Sequence, residues 1–349
     1  MTVTLKDIAR IAGVTTATVS KALNNKDDIS TEKKQRIIKI AEAKGYSPYI
    51  KSRQTGMHAV GSKYIGVVFP VLADDYLVRE IQRGIDSVFK GSGFSQIRYN
   101  MDDNKQVTDE AAKEMFLEKI IQDRTIVGLM VAFFTVNDAT VAKIRKLDIS
   151  VVQLNSYSTY GNCVTIDNTD ASYRAVKTLI GLGRRNIGLI IPEETSENVW
   201  KDRLEGYKKA FSEEHITYNP YLIVYEHRFS LEESALATKT LLQREPGIDA
   251  ILYGSDAQAY GGMEALKELG KNIPDDVAVM GFDNLPFSRI TVPPLSSVNQ
   301  PMFELGIAAS KILLGSIEKK NTPHKTLLLK SQLIFRQSTH KDLPKERFT

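Results

Sequence analysis

The sequence predicts two kinds of fold in one chain: an all-α head with helix-turn-helix proportions, then a larger α/β body of two lobes, each a doubly wound parallel sheet. Three observations carry this. Charge is lopsided: residues 1–63 hold twelve Lys/Arg against five Asp/Glu, a net +7 where the whole chain has +4, so the remainder carries −3. Apolar residues recur at helical spacing three times in the first 46 positions, with glycines where two of these helices end. From Tyr64 onward, β-branched runs alternate with amphipathic stretches, the signature of parallel sheets covered on both faces. A length of 349 residues exceeds one ordinary core, and 42% hydrophobic with 25% charged residues is ordinary globular composition. The expected division is a head over 1–46, a hinge or linker over 47–62 and a body over 63–349.

In the head, Thr4-Leu5-Lys6-Asp7 places a capping hydroxyl three residues before an acid, and Leu5, Ile8, Ala9 and Ala12 follow at helical spacing. Gly13 ends this helix where a left-handed backbone is cheap, Val14 can plug the core, and Thr15 can cap a second helix from Thr16 to about Leu23. A third helix follows Ser30, runs over 33–44 with Ile37, Ile38 and Ala41 on one face, and stops at Gly45.

In the body, strands are expected at 64–70, 95–99, 128–133 and 150–154, with helices over 78–90, 108–122 and 136–147. A second series follows: strands at 186–191, 221–225, 250–253 and 277–282, helices over 171–182, 203–214, 231–243 and 258–269. The lobes are expected to comprise 63–156 plus 297–325, and 157–296 plus 326–339. Ligands of such sheets bind beyond the carboxyl ends of the strands, which between two facing lobes means a cleft.

Several classes are disfavoured. The single cysteine, Cys163, allows no internal disulfide or thiolate zinc cluster, and its apolar context suits a small buried hydrophobe. His58, His215, His227, His324 and His340 are scattered without metal spacing, no Gly-x-Gly-x-x-Gly follows a strand, and no Gly-x-Ser-x-Gly elbow occurs, so neither catalysis nor a cofactor is expected. No apolar run approaches the roughly 20 residues of a membrane span, and the first dozen residues lack a signal peptide's apolar stretch, so a cytoplasmic chain is expected. A free-standing solute-binding protein would share the body but carry a secretion signal and no basic head.

The detailed string narrows the reading. Thr4-Leu5-Lys6-Asp7-Ile8-Ala9-Arg10-Ile11-Ala12-Gly13-Val14-Thr15-Thr16-Ala17-Thr18-Val19-Ser20-Lys21-Ala22-Leu23-Asn24, then Gly45-Tyr46-Ser47-Pro48, closely resembles the head of the lactose/galactose repressor family. In the body, Arg203-Leu204-Glu205-Gly206-Tyr207, Val279-Met280-Gly281-Phe282-Asp283-Asn284 and Pro293-Pro294-Leu295-Ser296-Ser297-Val298-Asn299-Gln300-Pro301 are similar to that family's elements, as is Leu305-Gly306-Ile307-Ala308-Ala309. The resemblance implies a periplasmic-binding-protein-like body and a homodimeric repressor that binds a palindromic double-stranded DNA operator under small-molecule control. A sugar or sugar derivative is the leading effector; a purine, nucleoside or co-regulatory protein is the alternative on the same fold. The short polar tail over 341–349 has no leucine heptads, which argues against a tetramerising helical bundle.

By the same resemblance, Thr16, Ala17 and Lys21 occupy base-reading positions, where a hydroxyl can bond either base-edge polarity and methyls can meet a thymine methyl. Lys21 replaces the commoner Arg, so a point charge stands where a planar fork is usual. Thr15, Thr18, Ser20, Asn24, Ser30 and Tyr46 match phosphate-contact positions, which set register, and Thr4 and Leu5 complete the DNA-facing set. Each is also what a cap or solvated polar residue looks like, and Thr15 and Ser30 suit both roles. In the cleft, Arg203 and Asp283 align with an effector-gripping charged pair, Phe229 with a stacking aromatic, Ser255 with a hydroxyl-binding Asn, and Asn155 with a polar strand-end residue. Asp75 and Tyr76 are expected on the loop after the first strand, closing the cleft. The other reading of Arg203 and Asp283 is an interlobe salt bridge with no ligand role.

The hinge departs from the pattern. In the family it folds on DNA and wedges paired leucines into the minor groove. Here Arg53 matches but Thr55 stands where the leucine belongs, so either Met57 or Ile50 substitutes or the central step bends less; a flexible linker is the bland alternative. The expected outcome is a shallower operator bend than in a typical member, measured by phasing electrophoresis. A full bend with Thr55 seated between bases rejects it.

Overall fold

The computed structural model describes residues 5–23, 30–43, 63–70, 75–101, 109–122, 125–158, 160–192, 198–217, 219–226, 230–319 and 323–342. The chain divides into two compact units, a head ending near Lys63 and a body beginning at Tyr64.

The head packs three helices, α1 (Leu5–Ala12), α2 (Thr16–Leu23) and α3 (Thr31–Ala43), around Ile8, Ala9, Ala12, Val19, Ala22, Ile37 and Ala41. The α1–α2 turn follows from its residues. Gly13 adopts φ +66°, and the Val14 amide reaches back to the Ala9 carbonyl at 3.0 Å, the six-to-one bond of a Schellman stop, while Val14 packs on the core. Thr15 then caps α2, its Oγ1 accepting the Thr18 amide at 3.2 Å.

The body has two six-stranded sheets. The first runs β11-β5-β4-β3-β1-β2, built from β1 (Lys63–Pro70), β2 (Phe94–Met101), β3 (Ile126–Ala132), β4 (Ser150–Leu154), β5 (Asn162–Ile166) and β11 (Thr326–Leu329). Around it lie α4 (Asp75–Phe89), α5 (Glu110–Gln122), α6 (Asp138–Lys146) and α11 (Met302–Glu318). The second runs β12-β10-β9-β8-β6-β7, from β6 (Ile187–Pro192), β7 (Ile223–Glu226), β8 (Ala250–Tyr253), β9 (Ala278–Asp283), β10 (Ser296–Asn299) and β12 (Gln332–Ile334). Its helices are α7 (Asn168–Gly181), α8 (Asn198–Glu213), α9 (Leu231–Arg244) and α10 (Asp256–Glu268). In both sheets the first strand of the series lies between the second and third, so each has a topological switch point beside its first strand. The assigned pairings are parallel except β10 with β12.

The lobe borders differ from the expected ones. β5 pairs with β4, so the first sheet extends to Ile166 and not to 156; β10 belongs to the second sheet, and β11 returns to the first. The chain thus crosses between lobes three times, near 166–168, 299–302 and 329–332. β5, β10, β11 and β12 are only three to five residues long, too short for an alternation that marks them out in sequence.

The Arg203-x-x-Gly206-Tyr207 element has a mechanical reason. A Cβ on Gly206 would lie 2.1 Å from the Thr169 carbonyl oxygen, so only glycine lets α8 lie this close to α7. Tyr207 is fully buried and its hydroxyl donates to the Ile187 carbonyl at 2.6 Å, pinning α8 to the start of β6. Arg203, one turn earlier, is thereby carried to the carboxyl end of the sheet. Gly206→Ala is expected to lower stability by about 1–3 kcal/mol, the cost of overpacking a close contact, read as a fall in the urea midpoint.

Candidate functional site

On the head, α2 buries Val19 and Ala22 and turns Thr16, Ala17 and Lys21 outward. These three were expected to read bases, and they share the helix's exposed side. Thr15 is exposed, Thr18 and Ser20 are half-buried, and the Thr15 and Thr18 hydroxyls lie 2.9 Å apart. Leu5 is half-buried against the head core. Ser30 is exposed, and its carbonyl accepts the first bond of α3 from the Lys34 amide at 3.0 Å. Thr4, Asn24, Tyr46, Arg53 and Thr55, with the whole hinge, lie outside the described residues.

In the body, polar and strained residues gather at the carboxyl ends of the strands. Phe133 after β3, Asn155 after β4, and Asp283 and Asn284 at the end of β9 all have positive φ, from 52° to 101°, a conformation non-glycine residues hold only when their surroundings enforce it. The enforcing contacts are visible. The Phe133 amide bonds the Leu154 carbonyl, the Asn155 amide bonds the Val164 carbonyl, and the Asn284 amide donates to Ser297 Oγ. Below that turn, fully buried Asp256 accepts from the Leu285 amide at 2.7 Å and from the Ser288 and Ser297 hydroxyls at 2.5 and 2.6 Å. Burial pushes its carboxyl up to about 8.

Arg203 is the centre of the cluster. Only 3% exposed, it stacks between Phe282, 3.8 Å from guanidinium carbon to ring centroid, and Trp200 at 4.7 Å. Its Nε donates to Asn168 Oδ1 at 2.9 Å and its Nη1 to the Gly254 carbonyl at 2.5 Å. Burial draws its pKa down to about 10, against the opposing charges of Asp283 and Asp202. Nη2 has no protein acceptor among the described residues. Asp283, nearly buried, accepts from Gln300 Nε2 at 2.5 Å. Arg203 and Asp283 both belong to the second lobe, so the alternative of a salt bridge between lobes does not hold.

The other expected residues divide. Ser255 is buried and caps α10, its Oγ accepting the Gln258 amide at 3.1 Å. Asn155 is buried, with an Oδ1 that has no partner. Asp75 and Tyr76 are not on a loop; they open α4, where the Arg79 guanidinium lies 5.3 Å from the Tyr76 ring. Phe229 lies outside the described residues. Sequence reasoning missed Trp200, Asn168, Gln300 and a direct tie between lobes: Tyr157, after β4, donates its hydroxyl to Asp202 on α8, 2.9 and 3.0 Å from its two carboxylate oxygens. Burial raises both groups' pKa values, so the tyrosine stays a donor well above neutral pH. Two signals were available for this group: Trp200, the only tryptophan, standing three residues before Arg203, and Gln300 within the quoted Pro293–Pro301 stretch.

Among the described residues no group of three or more His, Cys, Asp or Glu could hold a metal, and no helix is long and apolar enough to cross a membrane. The α2 geometry yields an expected outcome: Lys21→Ala weakens operator binding by about 1–3 kcal/mol, with the loss concentrated on the base pair Lys21 faces. A loss spread evenly over unrelated DNA, read by mobility shift on single-base operator variants, would make Lys21 a phosphate contact.

Comparison with known proteins agrees with both units. The model of bacterial regulatory proteins of the lacI family matches residues 4–49, and a periplasmic binding protein-like domain matches residues 176–339. The ribose operon repressor of Haemophilus influenzae is 30% identical over 341 residues, 97% of this chain and 98% of that protein. The repressor CytR of Escherichia coli is 30% identical over 96% of each chain, and catabolite control protein A of Priestia megaterium 28% over 97% and 100%. Among solved structures, the lac repressor dimer bound to operator and the anti-inducer ONPF superposes with a TM-score of 0.70 at 23% identity, covering 97% of this chain and 99% of that one. The matches cover both the three-helix head and the two-sheet body, and the chain belongs to the lacI family of DNA-binding bacterial transcription regulators.

Proposed function

We propose that this chain is a homodimeric repressor of a palindromic operator, switched by a small hydroxyl-rich molecule, a sugar or sugar derivative, bound between the lobes. The observation that carries the effector is Arg203. A buried guanidinium whose Nη2 lacks an acceptor among the described residues, in the field of a carboxylate held on strained backbone, is costly in a free-standing protein and useful to a ligand that both accepts and donates. Vicinal sugar hydroxyls do both. Relatives support the class: one is named a ribose operon repressor, and a lacI-family regulator of Enterococcus faecium, 25% identical with a TM-score of 0.67, was solved with bound ribose.

Dimerisation is supported by the surface of the second lobe. Phe287, Ile290 and Val292, on the turn after β9, are 65, 56 and 93% exposed, and apolar side chains clustered this closely in solvent mark contact surfaces. One head reads one half-site, so a two-fold operator calls for a two-fold protein. Effector and DNA then compete through differential affinity for lobe arrangements, within which the Tyr157–Asp202 bond is a contact that lobe movement would break or keep.

Thermal-shift screening of the whole chain against sugars and nucleosides, followed by operator mobility shift with the stabilising compound, tests this reading. A sugar is expected to raise Tm in the wild type but not in Arg203→Ala, and to change operator affinity, which itself falls steeply with salt. A monomer bound to operator, or a sugar response that survives Arg203→Ala, sinks the reading.

A further inference from the structure

Beyond the residues already placed at the cleft, a pair of buried acceptors on β7 and α10 has no assigned role. Glu226 ends β7 at 4% exposure, and Gln258, in the first turn of α10, is 1% exposed. They hold each other: Gln258 Nε2 donates to Glu226 Oε2 at 3.0 Å, and Ser234 Oγ donates to the same oxygen at 3.2 Å. What remains is an orphan on each side chain. Glu226 Oε1 and Gln258 Oε1 are both buried and neither has a hydrogen-bond partner.

Leaving two such acceptors dry costs on the order of a hydrogen bond each, so a native protein that keeps them has a donor in mind. Their location says which. Gln258 Oε1 lies beside Gly254, 2.9 Å from where a Cβ would project, and the Trp200 ring edge and Ile191 methyl approach that point to 3.1 Å. The carbonyl of Gly254 is what Arg203 Nη1 binds. Gln258 Oε1 therefore sits beside the arginine's anchor and next to an indole, while Glu226 closes the carboxyl end of β7, with only β6 between β7 and β8. Burial raises the Glu226 carboxyl, and among the described residues no cation is bonded to it.

We propose that Glu226 and Gln258 form a donor-accepting subsite of the effector cleft, taking neighbouring hydroxyls at the end of the ligand away from Asp283, with Trp200 covering the apolar edge. This rests on the cleft being the effector site. Both unpartnered oxygens are acceptors, so the subsite rejects a phosphate or carboxylate at that end and selects a neutral polyol terminus.

The test uses the full-length protein with D-ribose, D-glucose, cellobiose and adenosine, and with the singly deoxygenated forms of whichever binds, measured by thermal shift and titration calorimetry. In the wild type, removing one particular hydroxyl is expected to weaken binding about tenfold to a hundredfold, and in Gln258→Leu the same removal is expected to cost less than threefold, because its partner is already gone. Glu226→Gln keeps one oxygen for Gln258 and Ser234 and presents an amide NH2 that a hydroxyl can accept from, so it is expected to retain a neutral polyol within about threefold. The deoxy series in the wild type needs no variant to fold, and unliganded Tm values report on those that do. Equal loss from the deoxy form in wild type and Gln258→Leu overturns the subsite while leaving the cleft intact. A tenfold or greater loss in Glu226→Gln replaces the polyol with a cationic ligand and overturns the neutral class. If none of the four probes binds the wild type, or Arg203→Ala binds as well as the wild type, the cleft reading fails and the subsite with it.

Discussion

Burying a guanidinium costs several kcal/mol unless its charge and its donors are met, and the second lobe is organised around meeting them for Arg203. The faces of Phe282 and Trp200 replace part of the lost hydration, Asn168 and the Gly254 carbonyl take two donors, and Asp283 and Asp202 supply opposing charge. These partners come from α7, α8, β8 and β9, so one side chain gathers the ends of four elements. The close α7–α8 contact at Gly206 and the Tyr207 bond to Ile187 exist one turn further along the same helix, where they fix the depth at which the guanidinium enters. Strain elsewhere makes sense in this light. Asp283 and Asn284 hold left-handed backbone because Asp256, Ser297 and Gln300 grip the turn from beneath.

Much of this was legible before any coordinates. The head could be read helix by helix because its signals are local: a glycine for a stop, a threonine for a cap, apolar residues every third or fourth position, and each reappears as a named contact. The long central strands were equally plain, since six consecutive apolar residues such as those of β6 have few other uses. The lobe borders were not, because they depend on strands of three to five residues whose membership is decided by pairing and not by pattern; Asn162–Ile166, for one, pairs with Thr326–Leu329 over 160 positions away. Arg203 and Asp283, carried by motif, lie buried at the strand ends of the second lobe. The pairs Tyr157 with Asp202, and Glu226 with Gln258, were not legible, because a hydrogen bond between two ordinary polar residues has no sequence pattern of its own.

The two lobes differ in what their strand ends supply. The second contributes the charged and acceptor groups, Arg203, Asp283, Glu226 and Gln258. The first contributes half-buried Phe133, backed by the buried ring of Phe69 at 6.5 Å, together with Asn155. Under the proposed function, a ligand held by the second lobe and capped by the first would have its polar grip and its lid on separate lobes, joined directly by the Tyr157 hydroxyl. That division suits a sensor. Grip sets affinity, and the fit of the lid sets which lobe arrangement the bound state prefers.

The three crossings of the chain between lobes have a consequence for synthesis. A nascent chain that has emerged as far as Asn299 has neither sheet complete, since β11 and β12 are supplied by residues 326–334, one to each lobe. Both halves of the sensor must wait for the same closing segment. A ribosome that stalls before Thr326, or a nonsense codon upstream of it, leaves both sheets incomplete together. The last pass of the chain acts as a common seal, coupling the quality of one half to the quality of the other.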